Sequence, residues 1–183
     1  MNELDDLRFE IIRGAMYHDD LERHYARLHR WIMFIVIFSG TAAAANMLPA
    51  QPILWWPWAE PSKPVLALLL SLLSTLAGTV DIVWDVSGKA RLHSSLKRQA
   101  YDLLADCEDA DCDARQMRQR IVRTLVDEPP ILHAANALAF NGAAQNMDYR
   151  RRSRITPSQR FWRHWRAYDP TDFPEYSLPA RTE

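Results

Sequence analysis

Trp31-Ile-Met-Phe-Ile-Val-Ile-Phe-Ser-Gly-Thr-Ala-Ala-Ala-Ala-Asn-Met-Leu48 is an 18-residue stretch without a charged side chain, and no Asp, Glu, Lys or Arg follows until after Ala59. As a helix rising about 1.5 Å per residue it spans ~27 Å, close to the ~30 Å hydrocarbon core of a bilayer. A second apolar run, Val65 to Val80, is 16 residues. It reaches bilayer length once Ile82, Val83 and Trp84 are added, with Asp81 leaning toward the headgroups. Between the runs, Pro49 to Pro64 contains five prolines, which end any helix there. Trp55, Trp56 and Trp58 suit an interfacial aromatic belt. Ser62-Lys63-Pro64 reads as the cap and first turn of the second helix. A buried helical hairpin in a soluble protein is the competing reading, but core helices seldom lack charge over a full bilayer width. A cleaved signal peptide fits worse, because a long charged segment precedes the first run. The expectation is a two-span integral membrane protein.

Lys and Arg set the orientation. Residues 11–30 carry Arg13, Arg23, Arg27 and Arg30, and residues 85–104 carry Lys89, Arg91, Lys97 and Arg98. The loop 49–63 has only Lys63. This asymmetry places both termini in the cytoplasm, with the Trp-rich loop on the far side of a bacterial inner membrane. Cys107 and Cys112 are then expected as thiols in a reducing compartment.

The rest of the composition narrows the classes. The chain has 183 residues, a formal net charge of −1, 7 Trp, and 19 Arg against 3 Lys. Near-neutral charge removes the simplest argument for nucleic-acid binding. Its 11 Pro against 5 Gly argue against a turn-rich β protein. Mean hydropathy, −0.29, averages over the two runs and hides them.

Outside the spans the pattern is helical. Leu4, Leu7, Ile11, Gly14, His18, Leu21, Tyr25 and Leu28 form a heptad-like seam running into the first span. Val83, Val86, Ala90, His93, Leu96, Ala100, Leu103 and Leu104 mark one face of a helix reaching about Asp106. A shorter helix with an acidic first turn carries Met117, Ile121, Val122 and Leu125, and another runs from Ile131 to about Asp148. The expected fold class is all-α: a transmembrane hairpin whose long helices continue into a cytoplasmic helical bundle. The parts are an N-terminal helix (1–30), the hairpin (31–84), cytoplasmic helices (85–148) and a basic, aromatic tail (149–183).

From Tyr149 to Tyr168 the tail holds seven Arg and no acid. Thr156-Pro157 reads as an N-cap with Pro at the first helical position. Phe161, Trp162, Trp165 and Tyr168 are expected on one face, opposite Arg160, Arg163 and Arg166. Anionic lipid is the favoured partner, so Arg160, Trp162, Arg163, Trp165 and Arg166 join the loop tryptophans as lipid-interface candidates. Stacking on single-stranded nucleic acid is a less favoured alternative, as is packing of the aromatics on the cytoplasmic helices. From Asp169 onward an extended end is expected.

No catalytic, cofactor-binding or metal motif emerges: there is no phosphate loop, nucleophile elbow or zinc-protease helix. His18 and Glu22 are four apart, as surface contacts commonly are, and Cys107 and Cys112 lack redox spacing. An enzyme is therefore not expected. The informative polar residues lie inside the second span. Ser71, Ser74, Thr75 and Gly78 follow helical spacing, with Asp81 and Asp85 at its end. Small residues of this kind permit close helix packing. They are also candidates to line a water-filled path, which two spans can enclose only as part of an oligomer. Asp81 and Asp85 are candidates for a cation-attracting ring, or for pairing with Arg30 and Lys89.

The order of parts resembles the SLATT family of two-transmembrane effectors associated with bacterial nucleotide-signalling conflict systems. Ala15-Met-Tyr-His18 and Arg27-Leu-His-Arg-Trp31 enter the first span, and Ala90-Arg-Leu-His93 and Ala100-Tyr-Asp-Leu103 follow the second. The resemblance covers roughly residues 8–147 and leaves out the Arg/Trp tail. It implies a homo-oligomeric pore or membrane-disrupting effector, triggered by a sensor or nucleotide-signalling protein encoded nearby. The alternative is a membrane anchor that presents a helical bundle to a protein partner.

Overall fold

The computed structural model describes residues 3–47, 64–108, 113–126 and 128–179. Trp55, Trp56, Trp58 and Cys112 lie outside them. In chain order the elements are α1 (Glu3–Met47), α2 (Pro64–Trp84), α3 (Val86–Glu108), α4 (Ala114–Leu125), α5 (His133–Asn146), β1 (Arg151–Ser153), α6 (Pro157–Trp162), a 3-10 turn (Pro170–Asp172) and β2 (Glu175–Ser177). The chain is mostly helical, as expected, with one addition: β1 and β2 pair antiparallel, Arg152 opposite Tyr176. Residues beyond Asp169 thus include a paired strand rather than a wholly extended end.

The contacts divide the chain into two units, residues 1–24 with 90–183 and residues 25–89. In the first, one side of α1 buries Leu7 and Ile11 against Leu103, Cys107 and Met117 of α3 and α4. The other side buries Phe9 against Ala143 and Ala144 of α5, with Phe140 edge-on and Tyr149 stacked on the Phe9 ring. Alanine makes this approach close. A Cβ on Gly142 would stand 2.9 Å from the Met16 methyl, so a side chain there would require Met16 to shift.

Several of the described helix ends follow local chemistry. Asp113 caps α4 by accepting from the Arg115 N–H, so the expected acidic first turn reduces to its cap. After Pro129-Pro130, α5 begins at His133, and the Leu132 N–H donates to the Tyr17 hydroxyl at 3.0 Å. α5 ends in a Schellman motif. Asp148 takes φ 52°, the Tyr149 N–H reaches Ala144 O at 2.7 Å, and Tyr149 packs back on the same cluster. Asn141 then ties β1 to α5 with both ends of its amide, to Ser153 O at 2.8 Å and from the Ser153 N–H at 2.6 Å. Thr156 and Gln159 form a capping box at the start of α6, where the sequence placed a cap.

The second unit is an apolar hairpin. Its two helices are long and apolar enough to cross a membrane, and of the most apolar 18-residue windows only 17% and 6% is buried. Phe34, Ile37, Phe38, Leu68, Leu69, Leu72 and Leu76 are all exposed. Among the described residues nothing covers these side chains.

Candidate functional site

Within the hairpin some of the small residues face inward and others, Thr41, Ala44 and Ala45 among them, are exposed. Ile32, Ser39 and Ala43 on α1 and Ala67 on α2 are buried. Ser74 donates its hydroxyl to Val36 O at 3.1 Å, across from one helix to the other. A Cβ built on Gly40 would meet Ser74 Oγ at 3.5 Å, and one on Gly78 would meet Val36 at 4.0 Å. Thr75 is exposed, its hydroxyl bonded to Ser71 O at 2.9 Å, and Thr79 repeats this toward Thr75 O at 2.8 Å. Ser71, half-buried, bonds back to Leu68 O. The stripe expected as one surface is therefore split: Ser74 and Gly78 contact α1, while Thr75 lies outside.

The two acidic residues also separate. Asp81 Oδ1 lies 2.9 Å from His29 Nδ1, not against Arg30, whose Nε reaches Ala26 O instead. Asp85 sits at a break between α2 and α3 with φ 45°. There its carboxylate accepts from the Gly88 N–H at 3.1 Å, so it caps α3. It stands over Gly88 so closely that a Cβ would fall 2.0 Å from Oδ2. Lys89 lies over the Tyr25 ring, 5.8 Å from its centre.

In the first unit a buried polar cluster joins three elements. His18 Nδ1 of α1 lies 3.1 Å from His93 Nδ1 of α3, and His18 Nε2 lies 3.5 Å from Glu128 Oε1. One tautomer serves both contacts: the His18 proton on Nε2 points to Glu128, and Nδ1 accepts from His93. Burial first, then His93, brings His18 down to about 4. Burial pushes the Glu128 carboxyl up, against the pull of Arg13. A cavity of about 150 Å³ adjoins the cluster, lined by Ile11, Leu96, Leu103 and Ile121 with Arg13, Glu128 and Asn136 among its polar groups. Glu22, four residues from His18, pairs instead with Lys97, which also reaches Asp19 at 3.3 Å. Among the described residues, no group of three or more His, Cys, Asp or Glu is placed to hold a metal ion. His18 and His93 both occupy apolar seam positions in the sequence, a signal for the burial of each but not for their pairing. Glu128, between Asp127 and two prolines, gave none.

The tail docks by its charged side. Arg163 donates to both Asp20 oxygens, from Nε at 2.9 Å and from Nη2 at 3.1 Å. His164 Nε2 stands 3.4 Å from the same carboxylate, and His24 stacks on the His164 ring at 4.0 Å. Burial works to raise Asp20, but the Arg163 hydrogen bond and the charges of His164 and Arg163 hold it below the ordinary carboxylate range. Arg163 therefore turns away from the exposed face on which it was expected. Arg160 and Arg166 remain exposed, as do Phe161, Trp162 and Trp165. Tyr168 leaves that group too, packing on Phe173.

Compared with protein-family models, with curated proteins and with solved structures, the chain matches none.

Proposed function

We propose that this chain is a two-span membrane effector that acts as a homo-oligomer and permeabilises the bilayer, as the SLATT resemblance implies. Both termini are cytoplasmic in this reading, and a sensor or nucleotide-signalling partner triggers it. The observation that carries it is the outer surface of the hairpin. Gly40, Ser74 and Gly78 are spent on contacts between α1 and α2, whereas Thr75 and Thr79 stand as exposed hydroxyls on a side of α2 otherwise dominated by Leu, Ile and Val, and Thr41 is exposed on α1. Two helices enclose no aqueous path, so conduction needs several copies that turn this hydroxyl-bearing side toward one another. Asp81, held by His29, adds a carboxylate near the end of the same helix.

One observation favours a second reading, an anchor that conducts nothing. The Thr75 and Thr79 hydroxyls already bond to backbone carbonyls one turn back, so neither requires water. Inducible expression with a membrane-potential dye, run beside chemical cross-linking, separates the two. The pore reading expects depolarisation on triggering, lost in Thr75→Leu with oligomers intact. Unchanged potential in the triggered wild-type chain, with oligomers present, leaves the anchor.

A further inference from the structure

Soluble proteins usually turn aromatic side chains inward and charges outward. Residues 157–166 depart from this at Arg163 and His164, which turn inward, while Phe161, Trp162 and, edge-on to His24, Trp165 stay exposed. Arg163 and His164 face Asp20 of α1, whereas Phe161 is 73% exposed, Trp162 48% and Trp165 55%. The exposed aromatics are adjacent, with Phe161 and Trp162 edge to face at 5.0 Å. Arg160 and Arg166 flank them, both exposed, and no acid occurs between Tyr149 and Tyr168.

We propose that this segment is a foot on an anionic membrane surface, with Phe161, Trp162 and Trp165 entering the headgroup–acyl boundary and Arg160 and Arg166 meeting lipid phosphates. Asp20 is its positioning residue: by drawing Arg163 and His164 inward it turns the three aromatics outward. Trp favours this boundary because its ring is apolar while its N–H can stay wet. Arg is attracted by the negative surface potential, which decays within a Debye length of the surface. Lipid suits the patch better than a nucleic acid, since this chain has a formal net charge of −1 and carries two helices able to cross a bilayer. The inference rests on the membrane reading above.

The test uses the full chain reconstituted into vesicles of phosphatidylcholine alone or of an equal mixture with phosphatidylglycerol. Both carry a photoreactive lipid, and adducts are mapped by mass spectrometry. Labelling of 31–47 and 65–84 reports whether the hairpin is in the bilayer and so tests the membrane reading separately. The foot predicts adducts at 161, 162 and 165 in the anionic vesicles, reduced several-fold in the neutral ones and in the double variant Arg160→Ala/Arg166→Ala. Asp20→Asn should shift labelling away from these three positions with helicity by circular dichroism unchanged, and Asp20→Glu should restore the pattern. Labelled spans without adducts at 161–165 overturn the proposal. So do equal labelling in both lipids, or copy-to-copy cross-links through the segment.

Discussion

His18 shows how one buried side chain couples a structure to pH. Its proton is held at about 4 in the folded chain against 6.5 for the ordinary group, so the unfolded chain binds more protons between those values. Stability is therefore full above pH 6.5 and falls as the pH drops toward 4, by about 2 kcal/mol at pH 5. Protonating Nδ1 would also set two N–H groups against each other across the 3.1 Å His18–His93 contact. Glu128, raised by burial, acts in the opposite sense by taking a proton earlier in the folded state, with Arg13 opposing it. Thermal melts at pH 7.5 and 5 should show the loss, and His18→Asn should flatten it; an unchanged slope in that variant assigns the pH response elsewhere. Asp85 makes a second residue-scale case. Asn tolerates its φ of 45° and can still cap α3, while Val can do neither. Asp85→Asn should melt close to wild type, and Asp85→Val should cost about 2–3 kcal/mol. Little of this was legible beforehand. A seam position announces that His18 is buried, but not that His93 and Glu128, far away in sequence, arrive beside it.

Elements were easier to read where one physical pattern decided them. The first apolar run lies within α1, described as far as Met47, and α2 spans Pro64–Trp84, which takes in the second run from Val65 to Trp84. Thr156 caps α6 because its hydroxyl and the Gln159 amide satisfy each other's neighbouring N–H groups, a local interaction visible in sequence. The ribbon was not visible. Its three-residue strands are too short for alternation to show, and it depends on Asn141 holding β1 in place. The polar stripe of the second span was visible as a set but not as two faces, because Ser74 and Thr75 differ only in which side meets Val36 and Gly40. That difference is testable. A Val36→Cys/Gly78→Cys pair should oxidise within one chain, as peptide mapping would reveal. Adding Ser74→Leu should suppress the cross-link, since overpacking at a close contact costs about 1–3 kcal/mol. Adding Thr75→Leu should leave it; equal loss in both variants would mean that Thr75 also packs the hairpin.

At the scale of the whole molecule, the proposed topology follows from charge and hydrophobicity together. Two exposed apolar helices need a bilayer or other copies to cover them, and a two-span chain returns both ends to one side. Which side is decided by Lys and Arg near the spans, because cationic loops are retained on the cytoplasmic face. Here residues 11–30 and 85–104 carry eight such residues against Lys63 alone in 49–63. Acidic residues near the spans, Asp81 and Asp85 included, have little weight in this rule. A fluorescent-protein fusion after Glu183 should therefore be bright, and alkaline phosphatase inserted within 50–60 should be active. Placing several Arg in that loop should weaken both signals by admitting the inverted form. A dark C-terminal fusion with an inactive loop insertion would invert the topology. It would also move the basic tail to the opposite face, while photolabelling at 161, 162 and 165 in anionic vesicles would still decide the foot, so the orientation and the foot are settled by different measurements.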